Sequence, residues 1–241
     1  MLLPIEIEHL CQTFLTGLNQ ALGEKLSGVY LYGALAFPDA GAVSDIDFHV
    51  ILNAQLDNQE KSLIQALHAA LAHDFPPLGS ELDGYYILLD DARRVTPPSD
   101  QLRDDLYDVS WSLHCAHIRR GYCIVLQGMD PLQVYPEVTW SELEGALAGE
   151  LEFVEQSLTR YPAYCVLNLC RLMYSYGTRD VVVSKRFSAQ WASNKYPEWT
   201  GLIESARRFY AHKHTMADQA RLNSQIGSFY TFACDRIEQL D

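Results

Sequence analysis

Apolar positions near the start of the chain recur at every fourth place. Leu10, Phe14, Leu18, Leu22 and Leu26, with Leu15 beside them, make one face of a helix predicted from Ile5 to Leu26. Ser27-Gly28 ends it, and Val29-Tyr30-Leu31-Tyr32 reads as a buried strand. A loop rich in Gly, Ala, Pro and Asp leads to a second strand, Asp45 to Leu52. Leu63, Ile64, Leu67 and Leu71 predict a helix over Gln59 to Ala72, and Pro76, Pro77 and Gly79 mark the loop after it. Glu81 to Leu89 is a third strand. A helix is expected around Leu102 to Ile118, then a short strand from Cys123 to Leu126.

Beyond Pro136 the period is helical throughout. Helices are expected over Ser141 to Arg160, Tyr164 to Tyr176, Lys185 to Lys195 with Ser184 as N-cap, Leu202 to His212, and Met216 to Leu240. Strands thus lie only in the first half of the chain. The expected class is α+β: an α/β domain over residues 1–137 and a helical domain over residues 138–241.

Composition narrows the possible partners. Eighteen basic residues stand against thirty-one acidic ones in 241, a formal charge of −13. Phosphate-rich partners call for a basic face, so nucleic acid is disfavoured, and an anionic membrane surface with it. A cationic small molecule would be attracted. The six cysteines form no C-x-x-C pair and read as free thiols of a reducing compartment. With no apolar leader in the first residues and no run of about 18 apolar residues, a cytoplasmic protein is expected.

The chemistry concentrates around Asp45-Ile46-Asp47. Two carboxylates two apart on a strand face the same way. At about 4 Å they repel by roughly 4 kcal/mol at an effective dielectric near 20, so a cation or a proton is needed between them. Oxygen donors of this kind suit Mg²⁺ with substrate phosphates. Taken alone, an Asp-x-Asp is most often a solvated strand edge. Three neighbours shift that balance: Gly33 directly after an apolar strand, ten residues separating Ala34 from Asp45, and Asp83 at the start of a later strand.

These residues carry a resemblance. Leu31-Tyr32-Gly33-Ala34 through Ser44-Asp45-Ile46-Asp47 resembles the G-S-x(8–13)-D-x-D motif of the polymerase-β-like nucleotidyltransferases. In texture it is similar to the aminoglycoside adenylyltransferases that modify streptomycin and spectinomycin. Tyr164 to Arg171, Val183 to Arg186 and Ala189 to Ala192 are similar to the helical C-terminal domain of those enzymes. The resemblance covers most of the chain and implies an N-terminal domain with a mixed sheet. It also implies adenylylation of a hydroxyl on an aminoglycoside-like molecule, with ATP as co-substrate and pyrophosphate released. Asp45, Asp47 and Asp83 would be catalytic and would hold two Mg²⁺ ions, Asp83 helping with metal or accepting the hydroxyl proton. Gly33, Ala34, Ser44, Arg171 and Lys185 would bind the nucleotide, and Trp111 would meet the substrate.

The pattern departs in places. Ala34 stands where the family has Ser, which removes one hydroxyl and about 0.5–1.5 kcal/mol of hydrogen bonding to phosphate unless Ser44 or a water replaces it. Tyr161-Pro162-Ala163-Tyr164 lacks the carboxylates that streptomycin-modifying relatives place there. A catalytically weakened nucleotide- or metabolite-binding homologue, or transfer to a protein acceptor, therefore remain alternatives. Glu81 shares the face of Asp83 as a reserve third carboxylate. His49 reads first as a core-edge histidine. His114 and His117, three apart on a predicted helix, can meet but have no third ligand close in sequence.

Overall fold

The computed structural model describes residues 3–39 and 45–239. Among them the chain forms two compact units. The first comprises residues 3–38 and 45–138, and the second residue 39 together with 139–239.

The first unit is built on a four-stranded sheet, β1 (Leu26–Leu31), β2 (Ile46–Leu52), β3 (Leu82–Leu88) and β4 (Ile124–Gln127), in the order β3-β2-β1-β4. β1 runs antiparallel to β2 and β4, whereas β2 and β3 are parallel, so the sheet is mixed. The parallel pair is joined through helix α2 (Asn58–Asp74), because parallel strands need a long crossover. Asp57 and Glu60 close a capping box at the start of α2: Glu60 N–H donates to Asp57 at 2.9 Å, and Asp57 N–H to Glu60 at 2.8 Å.

The strands are apolar on both faces, which gives the sheet two cores. On one, helix α1 (Ile5–Leu22) and α2 bury Leu10, Phe14, Leu18 and Ile64 against Val29, Leu31, Phe48 and Val50. On the other, Tyr30, Tyr32, Ile51 and Ile87 pack with Trp111, Cys115 and Tyr135. The helix α4 (Trp111–Arg119) supplies this second face. Two single turns, α3 (Leu89–Ala92) and α5 (Pro131–Val134), complete the unit.

Two helix boundaries differ from the periodicity by four residues or more, each for a local reason. α1 stops at Leu22, because Gly23 takes φ +52° and its N–H returns to the Asn19 carbonyl, so β1 begins at Leu26 rather than Val29. The helix expected from Leu102 begins only at Trp111. The preceding segment is used instead to cover the open edge of β3. The Asp100 carboxylate accepts from Tyr86 N–H at 2.9 Å, Gln101 N–H donates to the Tyr86 carbonyl at 2.8 Å, and Arg103 donates to the Gly84 carbonyl at 2.6 Å. An edge strand that would otherwise expose these groups is thereby satisfied.

The second unit is helical: α6 (Trp140–Ser157), α7 (Pro162–Thr178), α8 (Lys185–Lys195), α9 (Thr200–Tyr210) and α10 (Met216–Glu238). α7 is its axis, buried along nearly its whole length from Pro162, at its first turn, to Tyr176. The α+β class is the one the sequence implied. Among the described residues no helix is long and apolar enough to cross a membrane.

The first core depends on one aromatic contact. Phe14 is fully buried and meets Phe48 edge-on at 5.0 Å. Phe14→Ala should cost about 3–5 kcal/mol in urea unfolding. A loss below about 1 kcal/mol would mean that α1 is not what seals this face.

Candidate functional site

The parallel pairing of β2 with β3 sets the acidic residues. Asp47 is the register partner of Asp83, with Ile46 opposite Leu82 and His49 opposite Tyr85. In-register neighbours across parallel strands point to the same face, and the strands lie about 4.8 Å apart. Asp47 and Asp83 are therefore side by side at the start of their strands, Asp83 exposed and Asp47 partly so. Asp45, also partly buried, lies directly ahead of β2. Glu81, the reserve carboxylate, lies in the turn before β3.

Gly33 is required by this arrangement. Its φ is +67°, and a Cβ built on it would lie 1.7 Å from an Asp47 carboxylate oxygen. The Asp47 carboxylate thus packs directly over the glycine backbone, and Tyr32 N–H donates to the Asp47 carbonyl at 3.0 Å. The sequence suggested that Gly33 lets backbone approach a phosphate; in the structure it also admits the aspartate. Ala34 is exposed in the turn that follows. Ser44 lies outside the described residues.

Behind the carboxylates, on the same face, runs a buried polar chain that the sequence did not reveal. His49 Nδ1 pairs with the Tyr135 hydroxyl at 3.2 Å and His49 Nε2 with Asp108 Oδ2 at 3.2 Å. The same Asp108 oxygen takes His114 Nδ1 at 2.8 Å. His49 and Asp108 are buried and His114 is partly exposed. The Tyr32 ring lies against both imidazoles, with centroids at 4.2 and 4.5 Å.

Burial lowers the His49 pKa to about 4, overriding the opposing pull of Asp108. For Asp108, burial acts upward but is outweighed by the His114 charge and by hydrogen bonds from His114 and His49. Its carboxyl is held below the usual range. The physical picture is an ionised Asp108 beside a neutral His49. Tyr85, close to Asp108 and Asp83, is pushed up to about 12, chiefly by burial.

Other expectations resolve differently. The His117 ring meets Phe37 edge-on at 5.5 Å. Trp111, expected against substrate, is fully buried and donates its indole N–H to the Arg94 carbonyl at 2.8 Å. It fills the second core and offers no free ring face. Among the described residues, His49, Asp108 and His114 form a group of three potential metal ligands with donor atoms all within 4.8 Å; Asp45, Asp47 and Asp83 do not form such a group.

Within the second unit, Arg171 and Lys185 share the surroundings of Tyr164. The Lys185 ammonium lies over the Tyr164 ring at 4.7 Å and the Tyr210 ring at 5.1 Å. The Arg171 charge acts on the Tyr164 hydroxyl, whose pKa is raised mainly by burial. Lys185 opens α8, where Ser184 accepts from Phe187 N–H as N-cap. Lys185 thus stands at a helix N-terminus that itself favours anions.

Comparison with known proteins agrees with this architecture. Residues 133–236 match the family model described as the aminoglycoside adenylyltransferase C-terminal domain. No curated protein matches the sequence. Among solved structures, the chain is similar to the spectinomycin adenyltransferase AAD(9) from Enterococcus faecialis, crystallised with ATP and spectinomycin. The likeness has a TM-score of 0.78 at 17% identity and covers 96% of this chain and 99% of that one. The fold is thus shared along nearly the whole chain, and the family match lies in its C-terminal part.

The buried histidine makes stability depend on pH. His49 titrates near 6.5 in an unfolded chain but near 4 in the fold, so between these values the unfolded state holds more protons. Its contribution is complete above pH 6.5, falls as pH drops, and is gone below about 4. The slope is at most about 1.4 kcal/mol per pH unit. Urea unfolding at pH 7, 6 and 5 should show this decline, and His49→Gln should flatten it. An unchanged slope in the variant would refute the assignment.

Proposed function

We infer that this chain, whose residues 133–236 match an aminoglycoside adenylyltransferase domain, is a nucleotidyltransferase that adenylylates a hydroxyl of a cationic, aminoglycoside-like molecule with ATP. The observation that carries the reading is the in-register pair Asp47 and Asp83 beside Gly33. A family match in the other half of the chain supports it. The neighbour in fold was crystallised with ATP and spectinomycin, which makes both compound classes the first to try.

The donor set fits divalent magnesium. Asp45, Asp47 and Asp83 offer hard oxygen donors at or next to the starts of two adjacent strands, with the Asp47 carboxylate lying against Gly33. Asp45, Asp47 and Asp83 would hold the Mg²⁺ ions, which when bound neutralise charge on the triphosphate and on the leaving pyrophosphate.

The chain's own residues supply the rest. In the transfer, a bond forms between the acceptor oxygen and the α-phosphorus, and the bond from that phosphorus to the pyrophosphate oxygen breaks. Asp83 is the exposed carboxylate of the pair and takes the hydroxyl proton. The backbone N–H groups at Gly33 and Ala34 bind phosphate oxygens, with Ala34 giving no hydroxyl. Arg171 and Lys185 are the cations offered to the triphosphate. An excess of thirteen negative charges attracts an acceptor bearing amines.

A second reading has its own observation: Ala34 in place of a hydroxyl residue favours a homologue that binds nucleotide without turnover. Pyrophosphate release with Mg²⁺-ATP, screened over aminoglycosides including spectinomycin and streptomycin, decides between them. The expected result is release that depends on one acceptor and falls roughly 10²–10³-fold in Asp47→Asn. Calorimetric ATP binding without release across the panel would favour the non-catalytic reading. Absence of nucleotide binding would contradict both.

A further inference from the structure

The geometry points to a second metal site, distinct in chemistry from the carboxylate pair: we propose that His49, Asp108 and His114 bind one divalent cation of the zinc class. The site does not rest on the nucleotidyltransferase reading.

Three elements converge on it. His49 comes from β2, His114 from α4, and Asp108 from the loop between α3 and α4. Their donor atoms lie within 4.8 Å of one another, with separations of 3.2 and 2.8 Å from Asp108 Oδ2 to the two ring nitrogens. Donors around a tetrahedral zinc at 2.0–2.2 Å are spaced by about 3.3 Å, so small shifts admit the ion. The loop that carries Asp108 is tied on both sides, Asp108 N–H to the Pro98 carbonyl at 3.0 Å and Trp111 N–H to the Asp108 carbonyl at 3.1 Å.

The outer contacts are those a ligating histidine needs. His49 Nδ1 faces the Tyr135 hydroxyl, which can accept from Nδ1–H and leave Nε2 as the donor to metal. The Tyr32 ring lies tilted against both imidazoles, at 33° and 46°. His49 and Asp108 are almost fully enclosed, while His114 is 21% exposed and gives the route of entry.

Two imidazoles and one carboxylate select zinc-class ions, whereas the oxygen-only set of Asp45, Asp47 and Asp83 selects magnesium. The two sites share one face of the sheet but sort cations by softness. Three protein ligands leave one position of a tetrahedron for water. A bound ion would clamp α4 and its leading loop onto β2, two residues beyond Asp47.

The test uses tag-free, chelator-treated full-length protein and Zn²⁺ alone. Equilibrium dialysis should find one Zn²⁺ per chain, weakened at least about 100-fold in Asp108→Asn and His114→Ala, and roughly 10- to 100-fold in Tyr135→Phe. Asp83→Asn should leave Zn²⁺ binding intact. With Co²⁺ in its place, the absorption spectrum should show tetrahedral bands without thiolate charge transfer, which excludes the cysteines. Zn²⁺ should also raise the unfolding temperature of the wild type but not of Asp108→Asn, a readout that holds even if His114→Ala folds poorly. No Zn²⁺ binding by the wild type, binding that survives in Asp108→Asn, or binding lost in Asp83→Asn would each overturn the proposal.

Discussion

The parallel register of β2 against β3 is the constraint from which the rest follows. It puts Asp47 beside Asp83 and His49 beside Tyr85, so that a single face carries carboxylates at its open end and imidazoles behind them. A slip of one residue would turn every one of these groups to the opposite core. The register is held from three sides. Apolar residues of β2 and β3 fill both cores, α2 bridges the two strands, and the 99–107 segment completes the edge of β3 through Asp100, Gln101 and Arg103.

Two kinds of polar chemistry share that face under different electrostatic rules. Near solvent, Asp47 and Asp83 lie where water and cations have access to their carboxylates. A few residues deeper, a buried carboxylate must be matched locally, and Asp108 is matched by His114 and His49. Tyr32 lies between the two regimes, within the field of both Asp108 and Asp47. Gly33 completes the contact, since the absence of a side chain there lets the Asp47 carboxylate rest against the backbone.

Much of this was legible in the sequence because it is local. Short apolar runs and period-four patterns marked the strands and helices, and Asp45-x-Asp47 after Gly33 marked the candidate acidic residues. The buried chain was not legible, since its members are 59 and 86 residues apart for His49 with Asp108 and Tyr135. His114 invited attention to His117, three positions on, whereas the partner brought by the strand is His49, with ring centroids 5.6 Å apart. The helix expected from Leu102 failed because edge-strand hydrogen bonds outweighed local propensity at Asp100 to Arg103. Trp111 matched a substrate position by its type, yet its indole is spent on the core and on the Arg94 carbonyl.

The central claim is that Asp47 and Asp83 act as one cation-dependent unit. Calorimetry of Mg²⁺-ATP binding to Asp47→Asn, Asp83→Asn and the double variant measures this most directly. The account predicts that the two losses are coupled, with an interaction energy of about 0.5–3 kcal/mol. Losses that add to within about 0.5 kcal/mol would show two independent carboxylates and would contradict it.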